Sequence, residues 1–256
     1  MIPASQPTAL TKTHLAAIGR SLDIYYRDKA RTARMDQLNA QFIRKGGLAF
    51  DIGAHVGDRM GSFLRLGARC VAAEPQPHVF RALRLLYGQC DQAHLHRTAV
   101  GATTGTVDLK INSDNPTIST VSTDLIAAAQ TADTWQGQVW DAELRVPITT
   151  LDQLMAQYGL PDFVKIDVEG HELAVLEGLS RPMRALSFEF TTIQIDVACA
   201  CLERLAALGC TRFNYSLGEE HRLQDHGWMD TKGLGAELQA LPAAANSGDV
   251  FAVWED

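Results

Sequence analysis

Two short stretches concentrate the residue types that do chemistry. The first reads L-A-F-D-I-G-A-H-V-G over Leu48–Gly57, followed by V-A-A-E-P over Val71–Pro75. Asp51 closes an apolar run, and Gly53, Ala54, His55 and Gly57 then turn the chain into a helix. Glycine in such a turn lets the backbone approach a ligand where a Cβ would clash. Glu74, with Pro75 behind it, closes the next apolar run 23 residues after Asp51. A carboxylate there can accept hydrogen bonds from both hydroxyls of a ribose. The loop is D-x-G-x-x-x-G, whereas a dinucleotide site would read G-x-G-x-x-G and aim a helix at a pyrophosphate. An aspartate before the first glycine repels a pyrophosphate and suits a sulfonium or an ammonium. S-Adenosylmethionine has a ribose and both cations, and no phosphate.

The second stretch is D-F-V-K-I-D-V-E-G-H-E over Asp162–Glu172. Period-two alternation puts Lys165 and Asp167 on one face of a strand, and Glu169, Gly170 and His171 turn the chain toward a helix. Ionisable groups packed at the end of an apolar strand are costly unless a site uses them. Asp167, Glu169 and His171 are the candidate general bases, and unperturbed His171 titrates closest to neutrality. Lys165 either serves the site or covers the sheet with its stem. Glu172 reads as a helix-start charge. Glu189, at the end of a neighbouring strand, binds an acceptor, shares a divalent metal with Asp167, or is an ordinary strand-end charge. No dedicated metal motif decides between a metal and a side-chain base.

These groups need a scaffold, and strands alternate with helices to provide one. Strands are expected over Leu48–Asp51, Arg69–Glu74, His94–Val100, Thr106–Ile111, Phe163–Val168, Ala185–Phe190, Arg212–Leu217 and Asp249–Trp254. Helices are expected over Asp58–Leu66, Pro77–Tyr87, Glu172–Leu179 and Val197–Leu208. The pattern predicts an α/β fold with a mainly parallel sheet covered on both faces. The last two strands leave little room for a helix between them, so an antiparallel edge strand is expected. The first ten residues read as a loose tail, and Thr11–Arg44 as a pair of helices ended by Gly46-Gly47. The division is then an N-terminal helical extension, 1–45, and a ligand-binding domain, 46–256. Within the latter, the polar insert 112–145 is a candidate lid or substrate wall.

Composition narrows the partners. The 256 residues are 46% hydrophobic and 21% charged, with a net charge of −7 that disfavours nucleic acid. The cluster Arg27–Arg34 reads as a solvated helix face. No apolar run is long enough for a membrane span and no secretory signal is visible at Met1–Thr13, so a cytoplasmic location is expected. The five cysteines form no C-x-x-C pair and suit reduced thiols.

Taken together, D-I-G-A-H-V-G at Asp51–Gly57, E-P at Glu74-Pro75, K-I-D-V-E-G-H-E at Lys165–Glu172 and T-L-D at Thr150–Asp152 resemble the FkbM family of S-adenosylmethionine-dependent methyltransferases. His55 stands where that family commonly has Asn. The resemblance spans Gly47–Glu189 and implies a class I methyltransferase fold: a seven-stranded sheet with an antiparallel last strand. It also implies O-methylation of a sugar, glycan precursor or natural product. By the same carry-over, Asp51, Gly53 and Gly57, with Ala54 and His55, hold the methionine end of the donor. Glu74 takes the ribose, and the Thr98–Gly101 loop, with Ala99 and Val100, walls the adenine. A small-molecule or glycan acceptor is the expected partner, and a homodimer stays open. The competing readings are a non-catalytic protein of the same fold, a nicotinamide-dependent oxidoreductase lacking the usual phosphate loop, and a nucleic-acid methyltransferase.

Overall fold

The computed structural model describes residues 10–254; the loose tail expected for the first ten residues lies, but for Leu10, outside them. Two helices, α1 (Lys12–Arg27) and α2 (Lys29–Asn39), lead into the chain. Thr11 caps α1 through a reciprocal pair with His14, and Asp28 both ends α1 and caps α2 by accepting from the amides of Ala30 and Arg31. The helix pair stops at Asn39, short of the glycines at 46–47.

A seven-stranded sheet follows, built from β1 (Leu48–Ile52), β2 (Arg69–Ala73), β3 (Ala93–His96), β7 (Phe163–Ile166), β8 (Ala185–Thr191), β9 (Arg212–Leu217) and β10 (Ser247–Val253). Its order is β3-β2-β1-β7-β8-β10-β9. Pairs within β3-β2-β1-β7-β8 are parallel, and β10 runs antiparallel to both β8 and β9. This is the class I methyltransferase arrangement. Central β1 is buried along its whole length, as a parallel strand covered on both faces must be. Helices α3 (Asp58–Arg65), α4 (Pro77–Tyr87), α7 (Glu172–Glu177) and α8 (Ile195–Ala207) connect the parallel strands or lead to β9. Phe50, Ile52, Val164, Ile166 and Phe188 lie in the core on one face, and Ala49, Phe163, Met60 and Phe63 in the core on the other.

Three expectations are corrected. The antiparallel strand is not at the edge: β10 inserts between β8 and β9, and β9 is the edge. There is also room for a helix before it, α9 (Thr231–Ala240), capped by Asp230 and burying Leu234 and Leu238 one turn apart. The single strand expected over 94–100 breaks after β3. There Thr98 donates to the carbonyl of Pro147, and β4 (Ala99–Val100) joins a second sheet. That sheet, ordered β4-β6-β5, contains β5 (Gly105–Ile111) and β6 (Ala142–Thr149). The polar insert therefore ends where β6 begins, and it joins two strands of the small sheet rather than of the main one. Leu144, Val146 and Ile148 alternate in β6 and pack with Leu109 and Val107, a short pattern masked by its charged neighbours. The segment between β5 and β6 folds around α5 (Thr123–Thr131), with Ile118, Leu125 and Trp135 in a small core of its own. The remaining helix, α6 (Leu151–Tyr158), is capped by Thr150. Among the described residues no helix is long and apolar enough to cross a membrane.

Candidate active site

Strand order reverses between β1 and β7, and a cleft opens there beyond the carboxyl ends of the strands, where such folds bind ligands. It encloses about 1130 Å³ of empty space, the part open to solvent included. On the β1–β2 side the loop Gly53–Gly57 is fixed from beneath. The amides of Gly53 and Ala54 both donate to the carbonyl of Ala73, and the amide of Asp167 donates to that of Ile52. Gly53 has φ +78°, and a Cβ on it would lie 1.6 Å from the carbonyl oxygen of Asp167. No other residue fits between the loop and the end of β7.

Glu74 sits at the end of β2, only 3% exposed. Its Oε2 accepts from the amide of His55 at 3.0 Å, and its Oε1 from the amide of Gln76 at 2.7 Å. Burial raises its pKa to about 7 against these bonds. Each carboxylate oxygen keeps a lone pair for a ribose hydroxyl. Beyond Glu74, Ala99 and Val100 with Leu109 and Val121 form an apolar end to the cleft that suits an adenine. Gly53, Ala54, His55 and Pro75 also line the cleft.

Asp51 and Gly57 support the cleft and do not line it. Asp51 is fully buried, and its Oδ2 accepts from the amide of Met60 at 2.9 Å, holding the first turn of α3. Burial pushes its pKa up to about 6, opposed by Lys165. Gly57, at φ +86°, faces away from the ligand: a Cβ there would meet Leu83 and Tyr87 of α4.

On the other side, the ends of β7 and β8 bring the second set together. Lys165 Nζ lies 2.6 Å from Asp167 Oδ2 and is nearly enclosed. Burial works against its charge, but Asp167 and Asp51 override this and hold its pKa above the usual lysine range. Carboxylate oxygens of Asp167, Glu169 and Glu189 all lie within 4.8 Å of one another. Glu169 takes a left-handed conformation, φ +57°, fixed by Thr120 donating to its carbonyl at 2.6 Å. Glu189 Oε2 is buried with no hydrogen-bond partner. Burial and the neighbouring carboxylates push the pKa values of Glu169 and Glu189 well up. The trio has the oxygen chemistry to hold a hard divalent cation or to take a proton. Glu172 instead accepts from the amides of Val168 and Gly170, so it shapes the turn that presents Glu169. His171 lines the cleft beside Gly101, and burial lowers its pKa.

Sequence reasoning missed a third group. Tyr25 of α1, Arg59 of α3, Glu219 after β9 and Asp249 of β10 all line the cleft. Arg59 lies 3.2 Å from Asp58 and from Glu219, and 3.7 Å from Asp249. Arg31 pairs with Asp58 at 2.8 Å and with Glu219. Burial opposes the ionised form of Glu219, but Arg59, His221 and Arg31 hold its pKa far below the carboxylate range. Arg31 is therefore not on a solvated face, as its cluster suggested: it is 5% exposed, while Arg27 and Arg34 are open to solvent. No local pattern marks this group, since the pairs that join α2, α3, the turn after β9 and β10 run across long stretches of chain.

A family profile described as "Methyltransferase FkbM domain" matches residues 51–222, more than half of the chain. No curated protein sequence matches. Among solved structures, an O-methyltransferase from Bacillus cereus in complex with SAH is similar at 12% identity and TM-score 0.47, covering 96% of this chain and 92% of that one. Fibrillarin from Aeropyrum pernix with bound S-adenosyl-L-methionine is similar at 11% identity and TM-score 0.46, covering 90% and 76%. Precorrin-6y C5,15-methyltransferase from Geobacter metallireducens is similar at 12% identity and TM-score 0.44, covering 90% of each chain. Likenesses this distant carry nothing about the acceptor, and the family match is what assigns the chain. With that match over the loop, Glu74 and the carboxylates at the end of β7, the chain belongs to the FkbM methyltransferase family and is an S-adenosylmethionine-dependent methyltransferase.

Proposed function

We propose that the enzyme transfers the methyl group to a hydroxyl of a sugar, glycan precursor or related natural product. The observation that carries this reading is the carboxylate trio Asp167, Glu169 and Glu189 beside the donor loop. The donor supplies an activated methyl carbon, so in-line positioning accounts for much of the rate. A neutral alcohol must also lose its proton as its oxygen forms the new C–O bond and the S–C bond breaks. Asp167, held by Lys165, is the group that receives that proton. Carboxylates also accept hydrogen bonds from several sugar hydroxyls at once. The same trio suits a divalent cation that would lower the pKa of the hydroxyl directly; loss of turnover with EDTA, restored by Mg²⁺, would favour that route over a side-chain base.

The test is transfer of radiolabelled methyl from S-adenosylmethionine to a panel of sugars, glycosides and polyketide alcohols, each beside its amine analogue. Label in an ether, one S-adenosylhomocysteine released per methyl, supports the reading. Label confined to amines or carbon would replace it.

A further inference from the structure

The donor side of the cleft has three evident walls: the glycine loop, Glu74, and the Ala99–Val100 end. Helix α1, which lies outside the family-matched segment, meets the same loop. Ser21 and Tyr25 stand one turn apart on one face of it. Ser21 Oγ lies 2.9 Å from His55 Nε2. The Ser21 hydroxyl donates to the carbonyl of Ala17, so it accepts from Nε2–H, and this sets the tautomer of His55. Next along, Tyr26 donates to the carbonyl of Val56 at 2.8 Å and receives the hydroxyl of Tyr87 at 2.9 Å. The Tyr25 ring stands edge-on to His55, with centroids 6.0 Å apart, and the Arg31 guanidinium lies 5.1 Å from its centroid. Tyr25 lines the cleft, and its hydroxyl takes no hydrogen-bond partner among the described residues.

The walls of the cleft follow the sheet order. From β3 toward β10 the cleft presents Ala99–Val100, then Glu74, then the loop, then Asp167 and Glu189. Asp58, Glu219, Asp167 and Arg59 are the charges that act on Tyr25. It therefore lies on the far side of Glu74 from the adenine end. A donor with its ribose on Glu74 extends its methionine arm toward Tyr25.

We propose that α1 is the fourth wall of the donor site, with Tyr25 touching the methionine arm and the Ser21–His55 bond positioning the helix. The proposal rests on the cleft being the donor site, so calorimetric titration of the unaltered protein with S-adenosylhomocysteine comes first. Adenosine, which lacks the methionine arm, is titrated beside it. Tyr25→Ala is expected to weaken S-adenosylhomocysteine about tenfold and adenosine less than twofold. Tyr25→Phe removes only the hydroxyl and is expected to keep the same selectivity with a smaller loss. Ser21→Ala and His55→Asn should each cost about threefold, and the double variant no more than either, because both break one bond. Amide exchange along α1 should slow when S-adenosylhomocysteine is added. Equal losses for both ligands, or none in either Tyr25 variant, would overturn the proposal. Failure of the unaltered protein to bind either ligand would remove the donor assignment, and this wall with it.

Discussion

On the β1–β2 side of the cleft, the groups that face a ligand come largely from 23 consecutive residues, Gly53–Pro75, and backbone hydrogen bonds hold them in place. On the β7–β10 side they come from Lys165, Asp167, Glu169, Glu189, Glu219 and Asp249, spread over 85 residues and held by charge. The donor is common to many methyltransferases and its side can be rigid and local. In the proposed function the β7–β10 side takes the acceptor, and loops from distant parts of the chain can change specificity there without disturbing the donor.

Asp167→Asn should break that division most sharply. Turnover is expected to fall about a thousandfold, as for loss of a general base, with the affinity for S-adenosylhomocysteine within threefold. A parallel loss of donor affinity would mean that the two sides are not separable. Next comes Gly53→Ala, where the glycine loop touches the end of β7. A side chain there is strained by φ and collides with the Asp167 carbonyl. A loss of about 3 kcal/mol in denaturant unfolding is expected, together with donor binding. Unchanged stability would show that the loop can move away from β7.

A smaller effect is expected from Glu74→Gln. The amide keeps one acceptor oxygen for the ribose and leaves either the His55 or the Gln76 amide facing an NH₂. Donor affinity should drop about thirtyfold in calorimetry while the fold persists. The smallest effect is on pH. Burial raises Glu74 and Glu172 to about 7, so the folded chain holds these protons more tightly than the unfolded chain does. The stability this gives is complete below about pH 4 and is lost as pH rises through 7. Burial lowers His55 to about 4 and also lowers His171 and His221, away from the alkaline side where this loss occurs. Ligand-free protein should therefore melt about 3 °C lower at pH 8 than at pH 6.5 by scanning calorimetry. An equal or higher Tm at pH 8 would place both carboxylates in the ordinary range.

The same contrast explains what could be read in advance. Gly53, Glu74 and the Lys165–Glu172 string are contiguous motifs whose spacing reflects strand ends, so their shared cleft was legible. Asp51 was legible as part of the site, but its bond to the Met60 amide was not, since pattern alone does not show which group a strand-end carboxylate accepts from. Glu219 and Asp249 were invisible because their meaning lies in Arg59, some 160 or more residues away. The β6 strand was hidden by Glu143 and Arg145, which alternate outward while Leu144 and Val146 face inward. The position of β10 follows from pairing across the sheet, which no local pattern encodes.

That position also governs how the molecule comes into being. A ribosome releases β8 and β9 before β10, yet these two strands meet only through it. Until β10 threads between them, the nascent chain carries two open strand flanks, with the buried faces of Phe188 and Phe213 near them. Closing that gap waits for β10, so the β8–β10–β9 part of the sheet can be completed only after β1 and β2 are free to pair. Such a chain gains from a partner that shields open strands during synthesis, and substitutions in β10 should first appear as lost yield on expression.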